Sequence, residues 1–226
     1  MMYQVIVLFN GYSKQLEDGK SEANCSCTLI KGQEINIIVD TMTAWDRDKI
    51  LTALRSHNVK PEEINYVVCT HSHADHIGNN NLFTHAQQHI VGYCIHRENL
   101  FDELQLSTKG EYQLNEDLKI IATPGHTSED ITLLIKNCRI INTDVNDVDG
   151  YQALQTHCVA IVGDLFEKEA DITDPEIWKS VGTKELEKTQ AKNRLMIIKS
   201  ADYIVPGHGP MFKVTEDMIR QLESQM

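Results

Sequence analysis

Positive charge is scarce in this chain. Its 226 residues hold 21 Lys and Arg against 33 Asp and Glu, for a formal net charge of −12 and a pI near 5.2. A protein held to nucleic acid or to an anionic membrane by its overall charge carries the opposite sign. No basic run occurs, nor any basic patch interleaved with aromatics. Long apolar runs are missing too. Nowhere do about 18 consecutive apolar residues occur, so no membrane-crossing helix is expected. At the N-terminus, the apolar part of MMYQVIVLFNGYS (Val5 to Phe9) lacks the length, the basic lead and the small-residue cleavage site of a secretory signal. The six cysteines (25, 27, 69, 94, 138 and 158) show no disulfide-framework spacing. They are therefore expected as reduced, mostly buried thiols of a cytoplasmic protein. Cys25 and Cys27 should share one face of a strand, with a metal-binding C-x-C pair as the alternative. No internal repeat or low-complexity linker divides the chain, so residues 1–226 read as one domain, large enough to bury a core without disulfides.

What is present is an alternation of short strand-like and helix-like stretches. Residues 3–9, 25–30 and 35–39 read as strands, with the turn-rich GYSKQLEDGKSEAN between the first two. Over 46–57, Ile50, Leu51 and Leu54 fall at helical spacing behind Asp46, a natural N-cap. Pro61 restarts the chain into INYVVCT (64–70), a buried strand ending in a loop. Further strands are expected at 120–123, 131–135, 139–143, 158–164 and 201–210. A helix is expected around 183–200 with Leu186, Leu195 and Ile198 inward, and a short helix opens at Thr215 with Asp217. Such an order predicts mixed sheets covered by helices, an α/β protein. The acidic NTDVNDVDG (142–150) reads as a solvated loop, because it lacks the closing Glu of a calcium-binding loop.

The chemistry concentrates in CTHSHADHIG (69–78), which places His71, His73 and His76 with Asp75 directly after a buried strand. Three of the ten histidines fall within six residues. The strand end fixes the backbone, and the loop can turn His71 and His73 toward one ion and Asp75 and His76 toward a second. Imidazole and carboxylate suit zinc, manganese or iron(II), and the nitrogen count favours zinc. Three more candidates repeat the strand-end pattern: His126 in TPGHT, Asp164 after VAIVG, and His208 in IVPGHGP. Ser72, Ser128 and Cys69 lie near the cluster without a convincing base and orienting partner, so no side-chain nucleophile is expected. His57, His85, His89, His96 and His157 have no partner pattern, and Asn79, Asn80 and Asn81 read as solvated turn residues.

H-x-H-x-D-H followed by separate His, Asp and His residues resembles the metallo-β-lactamase superfamily, over nearly the whole chain. The resemblance implies an αββα four-layer sandwich, two mixed sheets face to face with helices outside and metals at one edge. It also implies the ligand sets: His71, His73 and His126 on one metal, Asp75, His76 and His208 on the other, and Asp164 bridging. Asp40-Thr41 sits where the superfamily often has Asp-Thr-Gly, with Met42 in place of the glycine. Asp40 is thereby expected to orient a metal-bound histidine from behind.

Two Zn2+ ions, or Mn2+ or Fe2+ in their place, would activate a bridging hydroxide as nucleophile, with Asp75 and Asp164 as the catalytic carboxylates. Within the superfamily, NGYS, VDT-x-x-x-W-x-R-D (39–48), VVCTHSHADHIGNNNLF (67–83), GDLFE (163–167) and the segment NR…ADYIVPGHGP (193–210) resemble one subfamily. That likeness implies an endoribonuclease acting in histone pre-mRNA 3′-end processing, a cytoplasmic protein also found in the nucleus, and a homodimer. The rival enzymatic reading is a glyoxalase II-like thioesterase or a lactone hydrolase; the non-enzymatic one is a metal- or nucleotide-binding protein. No membrane partner is expected.

Overall fold

The structure, a computed structural model, describes residues 2–141 and 155–226. The acidic stretch 142–150 lies outside the described residues. The first half begins with β1 (Tyr3–Phe9), the hairpin β2 (Tyr12–Gln15) and β3 (Ser21–Asn24), β4 (Cys27–Lys31) and β5 (Asn36–Val39). Helix α1 (Arg47–Ser56) crosses to β6 (Tyr66–Cys69). The one-turn helix α2 (Ala74–Ile77) follows, then β7 (Gln88–Val91), β8 (Cys94–Arg97) and β9 (Leu100–Asp102). The second half contains α3 (Leu104–Lys109), β10 (Glu111–Gln113), β11 (Leu118–Ala122), β12 (Ile131–Ile140) and β13 (His157–Gly163). It ends with α4 (Glu176–Lys179), α5 (Glu187–Ile198), β14 (Tyr203–Pro206), β15 (Phe212–Lys213) and α6 (Glu216–Ser224).

Strands β1-β4-β5-β6-β7-β8-β9 form one sheet and β10-β11-β12-β13-β14-β15 the other. A short parallel ladder, Tyr3–Val5 against Cys138–Ile140, joins them into one hydrogen-bonded path. Both are mixed: β5–β6, β6–β7 and β13–β14 are parallel, and the remaining neighbours antiparallel.

Alternation along the strands sorts the apolar side chains into layers, because successive residues of a strand point to opposite faces. Val5, Ile30, Ile37, Val39, Val68, Leu133, Ile135, Val159, Ile161 and Val205 meet between the sheets. Their neighbours Ile6, Leu29, Ile38 and Val67 turn outward under α1 and pack with Ile50, Leu54 and Phe83. On the far side Leu134, Ala160, Val162 and Ile204 pack with Ile197 and Ile198 of α5 and Leu222 of α6. Three separate apolar clusters between four layers are the signature of the αββα sandwich. Among the described residues no helix is long and apolar enough to cross a membrane.

Several elements differ from their sequence reading. The turn-rich stretch after β1 folds as the β2–β3 hairpin, with Lys14 opposite Glu22 and Ser13 opposite Ala23. Its side chains are mostly exposed, so hydrophobic alternation could not announce it. The strand expected at 131–135 and the start of the one expected at 139–143 are one strand, Ile131–Ile140, bent where its register shifts between Ile135 and Cys138; residues 142 and 143 lie outside the described residues. Asn137 takes a positive φ of 51° there. Asp46 stands at the N-cap of α1 but makes no cap bond; its carboxylate instead accepts from Asn24, Thr43 and Lys49. Of the inward residues expected on α5, Ile198 is buried, while Leu195 and Leu186 are half-buried and Ile197, Gln190 and Arg194 take the core positions. Thr215 does cap α6, its Oγ1 accepting from the Met218 amide at 3.3 Å. All six cysteines are free, and Cys25 and Cys27 pack together under α1.

Leu54 is fully buried between α1 and the first sheet. Leu54→Ala should lower the unfolding free energy by about 2–5 kcal/mol, read by urea denaturation. Bound metal should be unchanged, because Leu54 contacts none of the candidate ligands; loss of metal would show that α1 supports the site.

Candidate metal centre

Every candidate ligand follows the C-terminal end of a strand. His71, His73, Asp75 and His76 follow β6, His126 follows β11, Asp164 directly follows β13, and His208 follows β14. Two glycines let these ends close on one another. Gly163 has φ +52°, and a Cβ there would lie 2.2 Å from Thr70 Oγ1; a Cβ on Gly207 would lie 1.9 Å from Asp164 Oδ1. Beside them, Asp40 and Met42 hold positive φ angles of 55° and 57° without being glycine, at a cost of about 1–2 kcal/mol each. A dense backbone network offsets it. Asp40 N donates to Val68 O (2.8 Å), Thr41 N to His76 O (2.7 Å) and Gly78 N to Met42 O (2.8 Å). Asn79 Nδ2 donates to both Thr41 O and Thr43 O, at 2.7 Å each.

The ring nitrogens and carboxylates converge in two groups around Asp164. His71 Nε2 lies 2.9 Å and His126 Nε2 3.1 Å from His73 Nδ1. Asp164 Oδ2 is 3.4 Å from His126 Nε2 and 3.7 Å from His71 Nε2. On the other side Asp164 Oδ1 is 3.3 Å from His76 Nε2, and Asp164 Oδ2 is 3.2 Å from His208 Nε2. Asp75 Oδ2 stands 3.9 Å from both His76 Nε2 and His208 Nε2. His71, His73, His126 and Asp164 form one set whose ligand atoms all lie within 4.8 Å of one another, and Asp75, His76 and His208 form another. Tetrahedral ligands about 2.0–2.1 Å from zinc are roughly 3.3 Å apart, so these spacings suit an ion at the centre of each set. His76 Nε2 and Asp164 Oδ1 are buried and without any hydrogen-bond partner despite their proximity. Buried polar atoms are costly to leave unpaired, so the donor set fits metal binding on this chain's own geometry.

Tautomers follow from the partners. His208 Nδ1 faces two carbonyl oxygens, Tyr12 O (3.2 Å) and Asn24 O (3.1 Å), which only accept, so Nδ1 carries a proton and Nε2, toward Asp164, is the nitrogen that would meet an ion once its own proton is lost. His76 Nδ1 lies 2.9 Å from Asp40 Oδ2, and Asp40 is itself fixed by the Thr70 amide (2.8 Å) and hydroxyl (3.0 Å). A carboxylate behind a ligand histidine sets its orientation and basicity, as expected for Asp40. Burial disfavours charge on His71, reinforced by His76, and holds its pKa well below the usual value. Burial also opposes charge on His208, but Asp164 outweighs it and pushes the pKa up to about 9. For Asp164, burial is overcome by His76, His71 and His208, which hold its carboxyl well below the usual range.

Several functional residues escaped the sequence reading. Glu167 is buried, its Oε1 is unpartnered 3.8 Å from His126 Nδ1, and burial plus Asp164 raise its pKa to about 8. Asp130 anchors the His126 loop by accepting from the Thr127 amide at 2.7 Å and from its hydroxyl. Helix α5 holds the site from below: Gln190 Nε2 donates to Asp164 O (3.2 Å) and Asn193 Nδ2 to Pro124 O (2.7 Å). Arg194 clamps the turn after Asp164 through Leu165 O (2.8 Å) and Asp171 (2.6 Å). Glu167 closes the GDLFE segment and Asn193 and Arg194 open NR…ADYIVPGHGP, so the subfamily likeness was their one signal, whereas Asp130 and Gln190 carry no local motif. Asn79, expected as solvated, is buried, and Asn80 accepts from Thr41 Oγ1 at 2.7 Å. His89, without a partner pattern in the sequence, is half-buried in β7, its Nε2 3.1 Å from Phe83 O. Ser72 and Ser128 are exposed, and Cys69 is buried on the outer face of the first sheet.

Above the ligands opens a cleft of about 480 Å³, with Ser13, Gln15 and Ser21 of the hairpin on one wall and Ile177, Ser180 and Val181 on the other. The model of the Metallo-beta-lactamase superfamily matches residues 21–143. Metallo-beta-lactamase domain-containing protein 1 of Xenopus laevis is 36% identical, over 94% of this chain and 82% of that protein. A metallo-beta-lactamase-type protein from Thermotoga maritima superposes with a TM-score of 0.59 at 19% identity, covering 94% of this chain and all of the other. A quorum-quenching N-acyl homoserine lactone lactonase gives 0.58 at 20% identity, over 92% of each chain. At these identities the two structures speak for the fold alone.

Removing the carboxylate behind His76, as in Asp40→Ala, should weaken metal affinity about 10–100-fold, measured by competition with a chromogenic chelator. Unaltered affinity would show that Asp40 serves only the backbone. The protonation of His208 gives a second expectation. An ion needs its neutral imidazole, so below pH 9 binding must expel the proton held there. Affinity should therefore rise with pH from 6 to 9, and flat affinity over that range would exclude His208 as a ligand.

Proposed function

The chain belongs to the Metallo-beta-lactamase superfamily as a metallo-hydrolase, and from that premise we propose that it is a two-zinc endoribonuclease acting on RNA phosphodiesters. The observation that carries the two-metal reading is the Asp164 carboxylate, which stands between the two sets, with Oδ2 toward His71, His126 and His208 and Oδ1 toward His76. In this reading His71, His73 and His126 hold one ion, Asp75, His76 and His208 the other, and Asp164 spans both. Zinc bound there would lower the pKa of water and polarise the scissile group.

The chain's own residues do the rest. Asp75 is the more exposed of the two candidate carboxylate ligands lining the cleft, at 22% side-chain exposure against 4% for Asp164. Its free oxygen accepts a hydrogen bond from the attacking water and fixes the direction of approach. Lys168, on the cleft wall, supplies positive charge to a phosphate. The hairpin and the 177–181 segment close the sides and limit the water that reaches the bond. The RNA substrate, processing of histone pre-mRNA 3′ ends and a nuclear as well as cytoplasmic location are supported by the subfamily likeness of the motifs.

A second reading, hydrolysis of a thioester or lactone, is favoured by the walls of the cleft. Apart from Lys14 and Lys168, the wall residues Ser13, Gln15, Ser21, Ile177, Ser180 and Val181 are uncharged and suit a compact acyl substrate.

Zinc-loaded protein should cleave single-stranded RNA spanning a histone 3′ end, and a chelator should abolish the cleavage. Asp75→Ala should lower the rate by at least about 100-fold while the His71, His73 and His126 ion is retained. Turnover of a thioester or lactone panel without RNA cleavage would replace the first reading by the second. Unchanged hydrolysis in Asp75→Ala would remove Asp75 from the mechanism.

A further inference from the structure

A strand of RNA carries one negative charge per nucleotide, and a body of net charge −12 repels it. Inside the cleft, Lys14 and Lys168 are the only Lys or Arg among the lining residues. An endonuclease also has to hold nucleotides on at least one side of the scissile bond, and the surface beyond the cleft rim shows where.

Val181 lines the cleft, and two residues on Thr183 Oγ1 donates to His126 O at 2.7 Å. Lys184 comes next, in the turn leading into α5, followed by Lys188 and Lys192 at intervals of four residues. Helical geometry puts Lys188 and Lys192 on one face of α5, about 6 Å apart along the axis, with Lys184 in the turn just ahead of them. All three are exposed, and none has a carboxylate within ion-pair distance among the described residues, whereas neighbouring lysines are neutralised. Lys179 pairs with Glu187 at 3.2 Å and Lys199 with Glu223 at 2.5 Å. The opposite face of α5 holds the metal centre through Gln190 and Asn193. The lysine row is therefore fixed in distance and direction relative to the candidate ligands.

We infer that Lys184, Lys188 and Lys192 form a phosphate-binding track for single-stranded RNA leaving the metal cleft. The inference rests on the endoribonuclease reading. Regularly spaced, unpaired ammonium groups favour a flexible polyanion, which can bring successive phosphates to successive lysines. Counterion release makes such contacts additive in their salt dependence, at about 0.7 units of log–log slope per phosphate on a single strand.

The test separates binding from cleavage. A fluorescein-labelled 12-nucleotide RNA is titrated with the zinc-loaded full chain carrying Asp75→Ala, with and without K184E/K188E/K192E. The track variant should bind at least 10-fold more weakly and lose about two units of salt slope. K60E/K109E/K136E, with the same change in net charge on other exposed lysines, should stay within threefold of the parent, and K184R/K188R/K192R should retain binding. Equal weakening by the track and control variants would overturn the track, as would loss of binding to phosphatidylserine vesicles with RNA binding intact. Track-dependent binding without any RNA cleavage by the chain with Asp75 in place would overturn the endoribonuclease reading alone. Cleavage and binding indifferent to the track variant would overturn the track alone.

Discussion

The structure is organised around one carboxylate that should not be comfortable where it is. Asp164 is almost fully buried at the end of an apolar strand and surrounded by His71, His76, His126 and His208. Burying an ionised carboxylate costs several kcal/mol unless opposite charge and hydrogen bonds compensate. Here the ring nitrogens supply compensation from every side, and one oxygen still finds no hydrogen-bond partner. Bound metal between these groups would satisfy both the acid and the imidazoles, and the cluster is compatible with it.

Holding that arrangement takes more residues than forming it. Gly163 and Gly207 remove the side chains that would keep the strand ends apart. Asp40 and Met42 accept a left-handed backbone so that the loop after β5 can reach behind His76. Arg194, buried and stacked 4.0 Å over Phe166, locks the turn that follows Asp164. The hairpin contributes two carbonyls to His208 and one wall of the cleft. One element thus orients a candidate ligand and contacts whatever enters. Helix α5 is equally double-sided, with polar groups under the centre and lysines toward solvent.

The legible parts of the sequence share a cause. Strands buried on both faces read as apolar runs, and INIIV, INYVVC and CVAIVG fell within a residue or two of β5, β6 and β13. The illegible parts are those whose stabilisation is polar or remote. The β2–β3 hairpin has almost no buried side chains, Asn79 is buried only because Thr41 and Thr43 offer it carbonyls, and Asp46 abandons its cap for Asn24 and Lys49. No local pattern encodes partners that lie tens of residues away.

By itself the sequence determined the candidate ligands and the layered α/β architecture. Both rest on short-range facts, histidine and aspartate placed at strand ends and short apolar runs alternating with helical spacing. Only the tertiary structure decided at what distances the other six candidate ligands stand about Asp164, which carbonyls fix the tautomers, that Glu167 and Asp130 are buried against the centre, and which walls bound the cleft. Those depend on strand ends from four places in the chain meeting at one rim, and that convergence is set by packing between sheets rather than by neighbours in sequence.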